Sequence, residues 1–435
     1  MLNLFLSLLF LTYGLNGQNT VNVSGIVIDA QTKEKLEFVH IGMPEQGIGT
    51  VSNQEGAFSF HFPAVFQNDF IIISHIGYQQ KWLKKTDFKD GNTTIELIPD
   101  PNVLEQVEVT ALEHPLEYYI EKAIKKLKKN YPIKLHLMSG FYRELRINAD
   151  DEKFTRLMEA AIDIQDRGIQ YPTSEIKYQV KELRKSYDYT CYTDRQLELE
   201  ERFGPHNDLF FLFRDNGVRM HLSSNEAARK VMGLQGYLYE PVSLKLDQIT
   251  HLNGEKIYVI SFSSKVLHCK IYLSAEDYGI HRFEHELGLF RVLAEKEKYR
   301  AEANRHILKG EPTYGYTVQY QKIDGIYYPS AIKIVDWEGM VNSNTTDEEG
   351  ATSASYAIHT LIINDLYLKR RDFKRIRYRH QAKKDEDLFD LPFPYNPDFW
   401  KNYNVLLLQP IEQKTQIDLE EIMPLEQQFI ENGEN

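Results

Sequence analysis

The segment GTVSNQEGAFSFHFP, residues 49–63, decides how the N-terminal quarter of the chain is read. Thr50-Val51-Ser52 is short and extended. Phe58, Phe60 and Phe62 recur at every second position, the period at which strand side chains share a face. Ala57, Ser59 and His61 take the opposite face, and Pro63 ends the run. Between the two, Asn53-Gln54-Glu55-Gly56 has the composition of a turn, because Asn and Gly accept positive φ cheaply. Asn53 and Glu55, with Asp29 upstream, are also oxygen donors of the kind that hold Ca2+. One carboxylate and one amide in a tight turn are too few for a tight site. The segment therefore predicts a hairpin turn and core phenylalanines rather than chemistry.

The flanks extend the pattern. Val21, Val23, Ile26 and Ile28 alternate, DAQTKEK (29–35) turns the chain, and LEFVHIGM (36–43) alternates again. DFIIISHIGYQQKWL (69–83), NTTIELIPD (92–100) and VLEQVEVTA (103–111) add further strands. Short strands with turn signals about every 8–12 residues and no helical period predict an antiparallel sandwich.

Four pieces in order, SGIVIDAQTKEKLEFVHI (24–41), GIGTVSNQEGAFSF (47–60), IIISHIGYQQ (71–80) and LEQVEVTA (104–111), resemble the carboxypeptidase-regulatory-like domain of exported Bacteroidota proteins. Glu37 stands where that family usually has a small or polar residue, and Asn53 where it usually has Asp. The resemblance implies an Ig- or transthyretin-like sandwich. In that family it is an accessory module, found beside the zinc site of carboxypeptidases and ahead of the plug of TonB-dependent outer-membrane receptors.

A chain of 435 residues has room for two or three domains. Its net charge of −12 argues against general nucleic-acid binding, which needs a basic face. Leu4 to Leu15 is an apolar run too short to span a bilayer and is followed by Gly17-Gln18. Residues 1–17 read as a signal peptide, although the run is preceded by no Lys or Arg; an uncleaved anchor helix is the other reading. An exported chain can join Cys191 and Cys269 in a disulfide or keep both as buried thiols, and their spacing does not decide.

After the sandwich (18–110), PLEYYIEKAIKKLKKNYP reads as a linker helix within 111–133. Leu116, Ile120, Ala123, Ile124 and Leu127 form one face and a row of lysines the other, which reads as a solvated face rather than a membrane-surface helix. Residues 134–410 read as an antiparallel β-rich domain with a few helices, one each in NDLFFLFRDNG and SNEAARKVMGLQGY. Asn253-Gly254 and Asp324-Gly325 are two-residue hairpin signals. GEKIYVISF (254–262), KIYLSAEDYGIHRFE (270–284) and YQKIDGIYYPSAIKI (320–334) resemble the curved sheet of periplasmic lipoprotein carriers, whose concave face holds an acyl chain. The basic run Lys369–Lys384 reads either as a solvated strand paired with acidic neighbours or as a contact to anionic lipid. Residues 411–435 read as a disordered acidic tail.

Two motifs resemble metal sites. HRFEH (His281–His285) fits H-x-x-E-H, but zinc chemistry needs it on a helix; on a strand His281 and His285 lie about 13 Å apart and Glu284 points away. HPLE (His114–Glu117) fits H-x-x-E, with Pro115 inside it and no alternating β/α text around it. No catalytic, cofactor-binding or metal-ligating residue is assigned, and no cofactor. The fold expected is mainly β: the sandwich, then a larger α+β region dominated by a curved antiparallel sheet. The function expected is a non-enzymatic binding or scaffold protein exported to the periplasm or outer-membrane face. Its partner would be a protein or an apolar or glycan ligand, with peripheral contact to the outer membrane and none to nucleic acid. A hydrolase with a site in the second region and an outer-membrane β-barrel are the alternatives.

Overall fold

The computed structural model describes residues 20–89, 93–100, 112–148, 151–190, 209–214, 243–263, 267–287, 314–337, 355–407 and 410–434. The proposed signal peptide, Cys191 and the segment SNEAARKVMGLQGY lie outside them.

The chain is mainly β. In the sandwich, β1 (Thr20–Asp29) pairs antiparallel with β4 (Ala57–Pro63) and parallel with β7 (Thr93–Leu97). The facing sheet is β3 (Ile48–Val51), β2 (His40–Met43), β5 (Ile71–Ser74) and β6 (Lys81–Leu83). Phe58, Phe60 and Phe62 are buried between them with Val23, Val27, Ile41 and Ile73, as their alternation requires.

The turn in the opening segment is a corner rather than a hairpin, because β3 and β4 belong to different sheets. Asn53 makes the corner. Its Oδ1 accepts the N–H groups of Glu55 (3.0 Å) and Ala57 (2.9 Å), and its own N–H donates to the Ala57 carbonyl. These bonds replace ladder partners, so the chain can leave one sheet for the other. Gly56 has φ +69°, and a Cβ there would lie 2.2 Å from the Val27 oxygen, which excludes any larger residue.

The second region is one curled antiparallel sheet. A meander runs through β11 (Ser243–Leu252), β12 (Glu255–Ser263), β13 (Leu267–Ser274), β14 (Ile280–Leu287), β15 (Tyr314–Ile323), β16 (Ile326–Trp337) and β17 (Ser355–Tyr367). Strand β17 then pairs with β8 (His136–Asn148), followed by β9 (Phe154–Asp166) and β10 (Lys177–Lys185). Both predicted hairpins form, with positive φ at Asn253, Gly254, Asp324 and Gly325. The end of β17 also meets the sandwich: Asp365 pairs with Ile48, and Leu366 N–H donates to the Gly47 carbonyl at 2.8 Å.

Helices cover both faces of this sheet. Helix α1 (Leu116–Asn130) buries Tyr119, Ile120, Ala123 and Leu127 in a core with Met138, Tyr142, Ile260 and Ile271. Its lysines stay outside, where Lys125 pairs with Glu121 and Lys122 and Lys126 sit over Tyr118 and Tyr278. Helix α2 (Leu209–Arg214) adds Leu212 and Phe213 to the same core. On the opposite face of β8, Phe141 packs on Trp400 of α3 (Pro397–Lys401). Leu145, Ile147 and Leu157 pack on α4 (Pro410–Leu419) and α5 (Leu425–Glu434).

Two expectations are corrected. Residues 411–435 are not a disordered tail: Leu419, Leu425 and Phe429 bury apolar surface, and the buried Gln428 caps the Leu419 and Met423 carbonyls. The basic run is not a strand. Its described form is two single 3-10 turns, Arg370–Asp372 and Tyr378–His380, joined by extended chain.

Candidate functional site

The hairpin turns β11–β12, β13–β14 and β15–β16 lie at one end of the meander, as alternate turns of a meander must. Each places a polar residue beside it: Glu255 follows Gly254, His281 follows Gly279 by two residues, and Lys322 precedes Asp324 by two. Lys322 Nζ lies 2.8 Å from Asp277 Oδ2 and 3.2 Å from Glu255 Oε1. Tyr327, fully buried, donates to Asp277 Oδ1 at 3.0 Å and lies 3.3 Å from His281 Nε2. His281 Nε2 is 3.4 Å from Glu255 Oε2, and the Ser274 hydroxyl donates to Glu255 Oε1. The C-terminal end of α1 pins the arrangement. Asn130 donates to the Asp277 carbonyl at 2.9 Å, and the Tyr131 hydroxyl accepts from Ile280 N–H at 3.0 Å.

Burial alone would raise the Glu255 carboxyl. Hydrogen bonds from His281 and Ser274 and the charges of His281 and Lys322 hold it below its ordinary value instead. Asp277 is lowered against the same burial by Lys322, the Gly279 N–H and Tyr327. Burial pushes the Tyr327 hydroxyl far up, and both carboxylates push it further. The Glu255 and Asp277 carboxylates, Lys322, His281 and the neutral Tyr327 phenol thus form one hydrogen-bonded cluster. Ser274 accepts the N–H groups of Glu276 and Asp277, and among the described residues no imidazole is placed to activate it.

The sandwich closes over this end of the sheet. Gly77 N–H donates to the His251 carbonyl at 2.8 Å, and Gln319 donates to the Phe38 carbonyl at 3.1 Å. Between the two bodies lies a cleft of about 300 Å3. Glu255, His281 and Lys322 form part of its wall; His40, His75, Gln321 and Ser330 line it too. Burial lowers the His40 and His75 imidazoles to about 4, so both are neutral at pH 7. His75 Nδ1 and His281 Nδ1 have no hydrogen-bond partner among the described residues. Of these three wall residues, only His281 was singled out by residue type, within HRFEH, and Glu255 and Lys322 were not. The signal all three share is position, since each lies within two residues of a turn signal.

The motifs singled out in the sequence serve structure. Asp29 accepts Gln31 and Thr32 N–H groups and the Tyr78 hydroxyl, and Glu55 pairs with Lys35, so these do not converge with Asn53 on a cation. His281 and His285 sit on β14, with His285 stacked 4.7 Å from Tyr316, while Glu284 pairs with Arg282 on the other side. His114 packs its ring against Tyr118, tilted at 42° with centroids 4.0 Å apart, just before α1 and three residues from Glu117. Cys269 is buried, and that burial pushes its thiol well up, away from reactivity.

The sandwich carries the deciding likeness. Residues 23–109 match the family described as CarboxypepD_reg-like domain. Both of this domain's departures from the family pattern are contacts to the second region. Glu37 pairs with Lys333 at 3.2 Å, and Asn53 Nδ2 donates to the Leu407 carbonyl at 3.0 Å, a bond that Asp cannot make. No curated protein matches the chain in sequence. Among solved structures, similar ones include a LolA superfamily protein from Nitrosomonas europaea, at 10% identity over 60% of this chain and 97% of that one, TM-score 0.20. Another is a DUF1329 family protein from Desulfovibrio piger, at 9% identity over 60% and 98%, TM-score 0.22. At such scores the function has to be argued from the chain's own side chains.

Proposed function

We propose that the chain is a non-enzymatic binding or scaffold protein of the cell envelope, with the cleft between the CarboxypepD_reg-like domain and the long sheet as its ligand site. The observation that carries this reading is Lys322 held between Glu255 and Asp277. A general acid needs a raised pKa and a glycosidase needs its two carboxyls pushed apart. Here both are lowered, Glu255 by His281, Ser274 and Lys322, and Asp277 by Lys322, the Gly279 N–H and Tyr327. The rest of the lining is neutral and hydrogen-bonding: the imidazoles of His40 and His75, the Gln321 amide, which bonds His40, and the Ser330 hydroxyl, which donates to the Gln319 carbonyl. That lining favours a glycan or a peptide backbone over an acyl chain.

The barrel alternative is disfavoured by what covers the strands. A membrane barrel turns one face of each strand to lipid. Strand β8 carries Glu144 and Arg146 on one face, where Glu144 pairs with both Arg146 and Arg156, and packs Leu145 and Ile147 on α4 and α5 with the other.

The test is a panel of soluble oligosaccharides, peptides and fatty acids, read by thermal shift and by mass analysis of the recovered ligand. The expected result is a shift with an oligosaccharide or peptide that is recovered intact. Cleavage that disappears in Glu255→Gln would overturn the reading in favour of a hydrolase. A shift with fatty acids alone would overturn the assignment of ligand class.

A further inference from the structure

In a chain of net charge −12, residues 369–384 hold nine Lys and Arg against one Asp. This strap is not a loose tail. Phe373 and Ile376 are buried against Leu137, Ile376 N–H donates to Gln165 Oε1 at 3.0 Å, and the buried Ala382 donates to the Tyr178 carbonyl at 2.9 Å. With the apolar residues turned inward, Lys369, Arg370, Arg371, Lys374, Arg375 and Arg377 all face solvent. Tyr378 stands among them at 86% exposure. The single acid, Asp372, lies 3.6 Å from its neighbour Arg371. Among the described residues Lys369, Lys374, Arg375 and Arg377 meet no carboxylate within ion-pair distance.

Arg370 donates to the Phe373 carbonyl and Arg371 pairs with Asp372, while Lys369, Lys374, Arg375 and Arg377 add like charges that repel along the strap, a cost that an anion outside the fold would relieve. We propose that this strap docks the protein on a membrane surface through anionic lipid headgroups. Clustered Lys and Arg are drawn to such surfaces, and an exposed Tyr is the side chain that settles at headgroup depth. A nucleic acid is the weaker candidate. It needs a basic track along its backbone, whereas this strap runs directly into Asp385, Glu386, Asp387 and Asp390. The inference rests on the envelope reading only for which membrane is met, so vesicle binding and cellular location can fail separately.

The experiment is co-sedimentation of the full chain with phosphatidylcholine vesicles, with and without about a third of phosphatidylglycerol, at low salt and at about 0.5 M salt, where the screening length falls to a few ångströms. The comparison is with the triple variant Lys374→Glu, Arg375→Glu, Arg377→Glu. Binding is expected only to the anionic vesicles, to fall steeply with salt, and to drop tenfold or more in the triple variant. Reversal of Lys125, Lys128 and Lys129 on α1 is expected to leave it within about twofold. Should the reversed strap fail to fold, the neutral variant Lys374→Gln, Arg375→Gln, Arg377→Gln and Tyr378→Ala take its place. Equal binding to neutral vesicles, or undiminished binding by the strap variants, would overturn the proposal. So would competition by millimolar inorganic phosphate, which would mark a phosphate site, or by duplex DNA binding at least as tightly as the vesicles.

Discussion

Replacing Asp365 by Asn should stabilise the protein, with a gain that is greatest at neutral pH and vanishes in acid. Asp365 lies on β17 where the sheet meets β3, and across β8 it shares a row with Ser139 and Asp163. Asp163 accepts the Ser139 hydroxyl at 2.6 Å and lies 3.7 Å from Lys181. Burial first, and then the charge of Asp163, raise the Asp365 carboxyl from 3.8 to about 6. A carboxyl raised on folding favours the native state when protonated and burdens it as pH climbs through the folded value. The shift of about two units is worth about 3 kcal/mol at pH 7, about 1.5 at pH 5 and next to nothing at pH 3. Urea unfolding of both proteins across this range, read by circular dichroism, should show equal midpoints in acid and a gap that opens toward pH 7 in favour of Asp365→Asn. A gap that does not change with pH, or a variant less stable at pH 7, would refute the reasoning.

Further outcomes follow from the same geometry. Lys322→Met leaves Glu255 and Asp277 facing each other at partial burial and should cost about 2 kcal/mol at pH 7, between the values for exposed and fully buried pairs. Both carboxyls are lowered by this lysine, so the cost should shrink as pH falls below their ordinary values of 4.5 and 3.8. Asn53→Ala should cost about 1–2 kcal/mol, because the Glu55 and Ala57 N–H groups and the Leu407 carbonyl lose their partner. Added Ca2+ should leave the melting temperature of the parent unchanged. Phe60→Ala in the sandwich core should cost about 3–5 kcal/mol in urea unfolding. Truncation before Pro410 should expose Leu145, Ile147 and Leu157 and show as aggregation and rapid proteolysis, where a disordered tail would be dispensable.

What the sequence made legible is what local chemistry controls. Phe58, Phe60 and Phe62 reported their burial through a period of two, and Asn253-Gly254 and Asp324-Gly325 reported their hairpins through positive φ. Partners far apart in the chain were hidden: nothing in β8 announces that it pairs with β17, more than 200 residues on. Buried charge is hidden for the same reason: Glu159 pairs with both Arg143 and Arg184 across three adjacent strands, with Arg184 over the Trp400 ring. The C-terminal helices were missed because their buried face includes Gln428 and few apolar residues, which weakens the helical period. The corner at Asn53 reads as a hairpin in sequence because turn composition tells that the chain bends, while the sheet it enters is set by tertiary packing.

The central claim, an exported protein of the envelope, is tested most directly by separating the native cell into cytoplasm, periplasm and outer membrane, detecting the protein and weighing its N-terminal peptide. The account predicts an envelope fraction and a chain that begins at Gln18. A cytoplasmic protein that retains residues 1–17 would contradict it.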